Sequence, residues 1–134
     1  MYSTIKGKIK TILENITGVK VVFTDERAEI TGYPAIVLTG FEYEDKWEDT
    51  ITNIREYTFR FSVLQEMKRT SETDAEAIVD ALTDRILDAF GKDFTLTGSA
   101  IGCWIRGANG WVNRSVECRV MDFRLLVKAV ASIT

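Results

Sequence analysis

The stretch NIREYTFRFSVLQEM, residues 53–67, places Tyr57, Phe59, Phe61 and Val63 at every second position, with Glu56, Thr58, Arg60 and Ser62 between them. Period-two alternation of aromatic and β-branched residues predicts a strand with one apolar and one polar face. Upstream, AIVLTGFEYE (35–44) is a second strand, apolar on both faces over Ala35–Leu38. Pro34, the only proline, stands at its lip, where a missing N–H is tolerated. The two strands form a long hairpin whose register the sequence leaves open. Its tip, residues 42–49, carries Glu42, Glu44, Asp45, Glu48 and Asp49 against Lys46, a local charge of −4. Trp47 sits among these charges, where neither a core nor a solvated turn needs an indole.

Outward from the hairpin the pattern becomes helical. Ile5, Ile9, Ile12, Leu13 and Ile16 make one helical stripe, with Ser3 expected as N-cap and Gly18 after the end. VKVVF (19–23) is a short strand. TSETDAEAIVDALTDRILDAFG carries a second stripe of Ala75, Ile78, Val79, Leu82, Ile86 and Phe90. Thr73 and Glu76 are spaced as a capping box, and Gly91 is expected to close this helix. In IGCWIRGANGWVNRSVECRVM, Asn109-Gly110 predicts the centre of a two-residue hairpin. That centre puts Ile101, Cys103, Ile105, Val116 and Cys118 on one buried face. Trp104, Arg106, Trp111, Glu117 and Arg119 fall on the other. Apolar residues then change phase, from Val116, Cys118 and Val120 to Met121, Phe123, Leu125, Val127 and Ala129. The change predicts a bulge or bend near 120–122 in the last strand.

The expected order is α-β-β-β-α-β-β. It reads as an α+β fold: an antiparallel sheet with two helices packed on one face, a long central hairpin and a bent C-terminal strand. At 134 residues and 46% apolar content, the chain is one domain with material for its own core.

The net charge of −3, with 28% charged residues, suits neither a polybasic nucleic-acid binder nor an acidic disordered tail. The charge is uneven: residues 106–128 hold Arg106, Arg114, Arg119, Arg124 and Lys128 against Glu117 and Asp122, a local +3. Cys103 and Cys118, the only cysteines, read as reduced, buried small hydrophobes. The start MYSTIKGKIK lacks the apolar run of a signal peptide, and no window is long and apolar enough to span a membrane. The chain has no histidine, the commonest general base and zinc ligand.

Nothing selects a catalytic pair. Both thiols sit in apolar alternation, which disfavours the nucleophilic thiolate. The acidic tip lacks the spacing of a calcium loop, and the glycines lack the strand-turn-helix setting of a phosphate cradle. No cofactor or metal is expected. Trp104, Arg106, Trp111, Arg114 and Arg119 interleave rings and cations as single-strand platforms do, but Glu117 and the acidic balance oppose that reading. Trp and Arg are also enriched where protein surfaces meet. The candidate interface residues are therefore Trp47, Asp45, Glu48, Asp49, Trp104, Arg106, Trp111 and Arg119, with the competing possibility that Trp104 and Trp111 cap the chain's own core.

The pattern GYPAIVLTGFEYE, an acidic loop and REYTFRFSVLQEM, followed by SETDAEAIVDALTDRILDAF and a closing hairpin, resembles the tail-terminator (tail-completion) proteins of long-tailed bacteriophages. The resemblance implies a structural virion protein, assembled in the bacterial host cytoplasm, with no catalytic residues. Such proteins form a homo-oligomeric ring, commonly of six subunits, on the tail-tube protein. They end tube polymerisation and offer a docking surface to a neck or head-completion protein. DNA passes through the lumen without specific binding. Glu56 and Arg60 are candidates for an inter-subunit polar face. Closed rings use head-to-tail contacts, which suit one acidic and one basic surface per subunit. Competing readings are a head-completion or neck component, a single-stranded nucleic-acid-binding module, and a small carboxylate enzyme.

Overall fold

The computed structural model describes residues 2–24, 30–47, 52–67 and 71–132. Its elements run α1 (Tyr2–Glu14), β1 (Val21–Phe23), β2 (Ala35–Trp47), β3 (Thr52–Glu66), α2 (Glu72–Lys92), β4 (Gly102–Asn113) and β5 (Cys118–Ser132). The strands form one five-stranded sheet in the order β1-β2-β3-β5-β4. This is the expected α+β fold with the expected element order. One pairing differs: β1 runs parallel to β2, with Val21 opposite Ala35, so the sheet is mixed. The chain then returns to the start of β2 through residues 24–34.

The alternation of β3 sets the layers. Tyr57, Phe59, Phe61 and Val63 face the helices and are buried. They meet Ile5, Ile9 and Leu13 of α1 and Val79, Leu82, Ile86 and Phe90 of α2 in one core. β5 adds Phe123, Leu125, Val127 and Ala129 to it. Phe61 stacks on Phe123 at 5.0 Å between ring centroids. Both helices therefore cover one face, and among the described residues the other face carries no helix. We call these the helix face and the open face.

The helix ends differ in detail from expectation. α1 already runs at Tyr2, so Ser3 lies inside it. α2 is capped by Ser71, whose hydroxyl accepts from the Asp74 N–H at 3.1 Å, rather than by Thr73. It continues past Gly91 to Lys92, with Asp93 as C-cap. Gly18 takes the left-handed φ of 99° that its place after α1 requires. There Arg85 donates to the Thr17 carbonyl at 2.8 Å and ties the end of α1 to α2.

The long β2–β3 hairpin forms as expected, and its register is now fixed: Trp47 lies opposite Asn53 and Tyr43 opposite Tyr57. Thr39 is the extra residue of a register shift between Leu38 and Gly40.

The last two strands correct several expectations. Asn109 and Gly110 are not a turn; they pair with Asp122 and Met121 inside the ladder. The turn occupies residues 114–117, where Glu117 takes a φ of 52°. A short-range dipeptide preference has yielded to the strand pairing of eleven β4 residues with β5. β5 pairs with β3 from Cys118 to Ser132 with no register shift; the inserted residue is Arg106, in β4. The change of apolar phase has another cause: β5 is buried on both faces. Cys118 and Val120 point to the open face, under a hollow lined by Ile30, Tyr33, Val37 and Leu64. Phe123 and its successors point to the helix face. The two thiols thus lie on opposite faces, Cys103 opposite Val127 and Cys118 opposite Asn113. Val116 and Ile101 are exposed rather than buried.

Candidate interaction surface

Side chains on the open face are ordered by the ladder registers, since alternate residues of each strand share a face. One row runs Leu64, Val120, Trp111; another runs Thr58, Leu126, Trp104. Each indole therefore sits beside a buried aliphatic side chain of β5. Val120 is 2% exposed and Leu126 5%, while Trp111 and Trp104 keep 41% and 44% of their surface in solvent. The indoles half-cover this face and leave the rest of their rings outward.

Polar groups hold both rings in place. The Trp111 Nε1–H donates to Asp122 Oδ2 at 2.6 Å, and the other oxygen of that carboxylate accepts a short bond from the Ser62 hydroxyl. The Lys128 ammonium lies 5.5 Å from the Trp104 ring centroid and 3.3 Å from Glu56 Oε1. Next to them Arg60 pairs with Glu42 across the β2–β3 hairpin. A groove continues past Trp111 between Arg60 and Arg124, floored by Ser62 and Asp122. The open face is thus a lattice of charge pairs framed by two tryptophans.

Trp47 lies elsewhere. It points to the helix face at the far end of β2, beyond the cover of the helices, and is 49% exposed. Phe41, Tyr43 and Asp45 precede it on the same face. Phe41 stacks on Tyr2 of α1 at 4.1 Å, so the helix reaches only the base of this column. Asp45 accepts from Arg55 Nε at 2.7 Å and from Asn53 Nδ2 at 2.8 Å. Those bonds hold its carboxyl below the ordinary value of 3.8, the Arg55 contact contributing most. The Arg55 guanidinium also lies over the Tyr43 ring at 5.7 Å.

The structure brings Trp104, Trp111, Glu56 and Arg60 together on the open face. It separates them from Trp47 and Asp45, on the opposite face of the projecting hairpin. Arg119 is on the helix face opposite Gln65, with its Nε buried and unpaired. Arg106 stands exposed at the β4 bulge. Glu48 and Asp49 lie outside the described residues. The basic stretch 106–128 is therefore not one surface. Arg114 pairs with Glu72, Lys128 with Glu56, and Arg119 turns to the other face.

Sequence reasoning missed Asp122 as the acceptor of Trp111, and missed Tyr43, Phe41 and Phe94 as exposed rings. The hairpin register, once known, would have signalled the first of the charge pairs, because it sets Asp45 directly against Arg55. Among the described residues no group of three or more Cys, Asp or Glu is placed to hold a metal ion. No helix there is long and apolar enough to cross a membrane. The Cys103 thiol is pushed up to about 11 by burial.

No family model and no curated protein matches the sequence. Among solved structures, the fold is similar to that of a chain in the virion of a native gene transfer agent particle. The TM-score is 0.60 at 14% identity, over 98% of this chain and 95% of that one. At that identity the likeness shows a shared fold, and it shows it from end to end.

Proposed function

We propose that this chain is a structural protein of a phage-like particle. In this reading it assembles as a closed ring, commonly of six copies, on the tail tube. There it ends tube polymerisation and gives the neck its docking surface. The observation that carries the reading is the fold likeness to a virion chain along nearly the full length of both proteins. The sequence pattern of the long hairpin and the capped second helix points the same way. The exposed half-faces of Trp47, Trp104 and Trp111 supply apolar surface for neighbouring chains. Glu56 and Arg60, with in-chain partners Lys128 and Glu42, supply a polar frame that excludes mismatched partners. A single-stranded nucleic-acid platform is the weaker reading, because Lys128 and Arg60 are already bound to carboxylates on the face that would meet phosphate.

Imaging of particles made without the protein tests the role. Overlong tails are expected; tailless heads beside free tails of normal length would assign it to the neck instead. Mass in solution tests the surfaces. Trp47→Ala and Trp104→Ala should each reduce the oligomer while leaving the fold intact. Unchanged association in both variants rules out the indole contacts.

A further inference from the structure

Two strand edges in this sheet have no neighbour among the described residues. β1 pairs with β2 only at Ala35–Val37, so among the described residues the outer edge of β2 beyond Leu38 has no strand beside it. β4 ends the sheet on the other side, and its outer edge is open along its length. Open edges of this length are templates for another strand unless they are protected.

Their polarity is complementary. β2 is antiparallel to β3, β3 to β5 and β5 to β4, so β4 runs opposite to β2. A second copy set beside the first in the same orientation therefore presents β4 antiparallel to β2. Their side chains are complementary too. The β2 edge carries Glu42, Glu44 and Asp45, whereas Arg106 is the only charged residue of β4. Exposed Phe41 and Tyr43 lie along the β2 edge, and exposed Ile101 and Phe94 lie at the start of β4. The levels match: Glu44, Glu56, Lys128 and Gly102 share one row, and Glu42, Thr58, Leu126 and Trp104 the next. A two-fold contact of β2 with β2 would instead set carboxylates against carboxylates, which opposes pairing.

We propose that the outer edge of β2, residues 40–46, adds antiparallel to the outer edge of β4, residues 102–107, of a second copy of this chain. The sheet then continues from copy to copy through backbone hydrogen bonds, the mode of strand addition. The Arg106 bulge aims its guanidinium at the acidic edge it meets; bulges re-aim side chains in this way. The contact is head-to-tail, so repetition yields a ring when the rotation closes. The closed ring, but not the pairing itself, rests on the function proposed above.

The test is cysteine linkage in the full chain. Glu42→Cys is combined in turn with Gly102→Cys, Trp104→Cys and Arg106→Cys, since the stagger between copies selects one of the three, and covalent trapping accumulates linked copies even where loss of the Trp104 indole or the Arg106 charge weakens their association. Directly opposed residues of an antiparallel pair are close enough for a disulfide. The native thiols compete poorly, because both are buried. Under mild oxidation, one pair should yield a ladder of linked oligomers on a non-reducing gel. Mass spectrometry should place the bond between residue 42 and a β4 residue. The single Glu42→Cys variant should yield no ladder. Melting of each reduced variant is compared with the parent, and only variants with parental melting are scored. Amide exchange of the unmodified chain provides a second readout, with protection expected over 40–46 and 102–107 as concentration rises. No 42-to-β4 bond and no such protection overturns the pairing, whether the chain is then a monomer or joins through another surface. The 42-to-β4 bond together with normal tails in particles lacking the protein would keep the pairing and remove the terminator role.

Discussion

Asp45 is held ionised by two donors on the adjacent strand, Arg55 and Asn53. Its carboxyl titrates below its unfolded value, so the folded state binds the proton less tightly. The resulting stabilisation is present above the unfolded value of 3.8 and is lost as pH falls through the lower folded value. Asp45→Asn should therefore lower stability by a constant amount near neutrality, and the gap to the parent should close in strong acid. Urea titrations at several pH values measure this; a gap that widens in acid refutes the assignment. Trp111 and Ser62 share the Asp122 carboxylate from its two oxygens. Trp111→Phe keeps an aromatic ring and removes the donor, at an expected cost of about 1 kcal/mol. With Ser62→Ala the two losses should fail to add by at least about 0.5 kcal/mol, as for residues in one network. A double-mutant cycle by chemical denaturation reads the coupling. These residue-scale contacts were the least legible in the sequence. Asp122 lies eleven residues from Trp111 and sixty from Ser62. Only the ladder registers make the three neighbours.

Elements were legible where one periodicity ran long. β3 needed nothing but its own alternation, and the stripes of α1 and α2 mark the buried positions almost residue by residue. The failures came where local chemistry competed with a longer-range partner. Asn109-Gly110 favours a tight turn, yet pairing with Asp122 and Met121 keeps it in strand. β5 looked broken because its two apolar phases belong to two separately buried faces. The parallel pairing of β1 was hidden because three residues cannot announce their direction. The join between helices can be tested at Gly18. A Cβ there would stand 2.9 Å from Arg85 Nη1 and 3.4 Å from Leu82, with a φ that side chains rarely adopt. Gly18→Ala should destabilise by more than about 1 kcal/mol. Part of that loss should come from displacing Arg85 from the Thr17 carbonyl. Arg85→Ala should therefore lessen the effect of Gly18→Ala, a difference read in thermal or urea unfolding.

For the whole molecule, the sequence showed the charge imbalance between the hairpin tip and the last two strands, but not how much of it is neutralised internally. Glu42, Asp45 and Glu56 each meet a cation of their own chain, as Arg114 meets Glu72. Among the described residues, the charges left for neighbours include Glu44 on one strand edge and Arg106 on the other, with exposed rings beside both. In the proposed assembly charge would steer and select, while apolar contact and edge hydrogen bonds would hold. These contributions respond differently to salt. Raising ionic strength from about 0.1 M to 1 M shortens the Debye length from about 10 Å to about 3 Å. Association of copies should slow, because steering between exposed charges is screened. Dissociation should change much less, because the rings and the strand pairing are not screened. Trp47→Ala should do the reverse, speeding dissociation with little effect on the approach. Stopped-flow light scattering at the two ionic strengths separates the cases. If salt speeds dissociation as much as it slows association, the copies are held mainly by charge. The aromatic column on β2 is then not the holding surface.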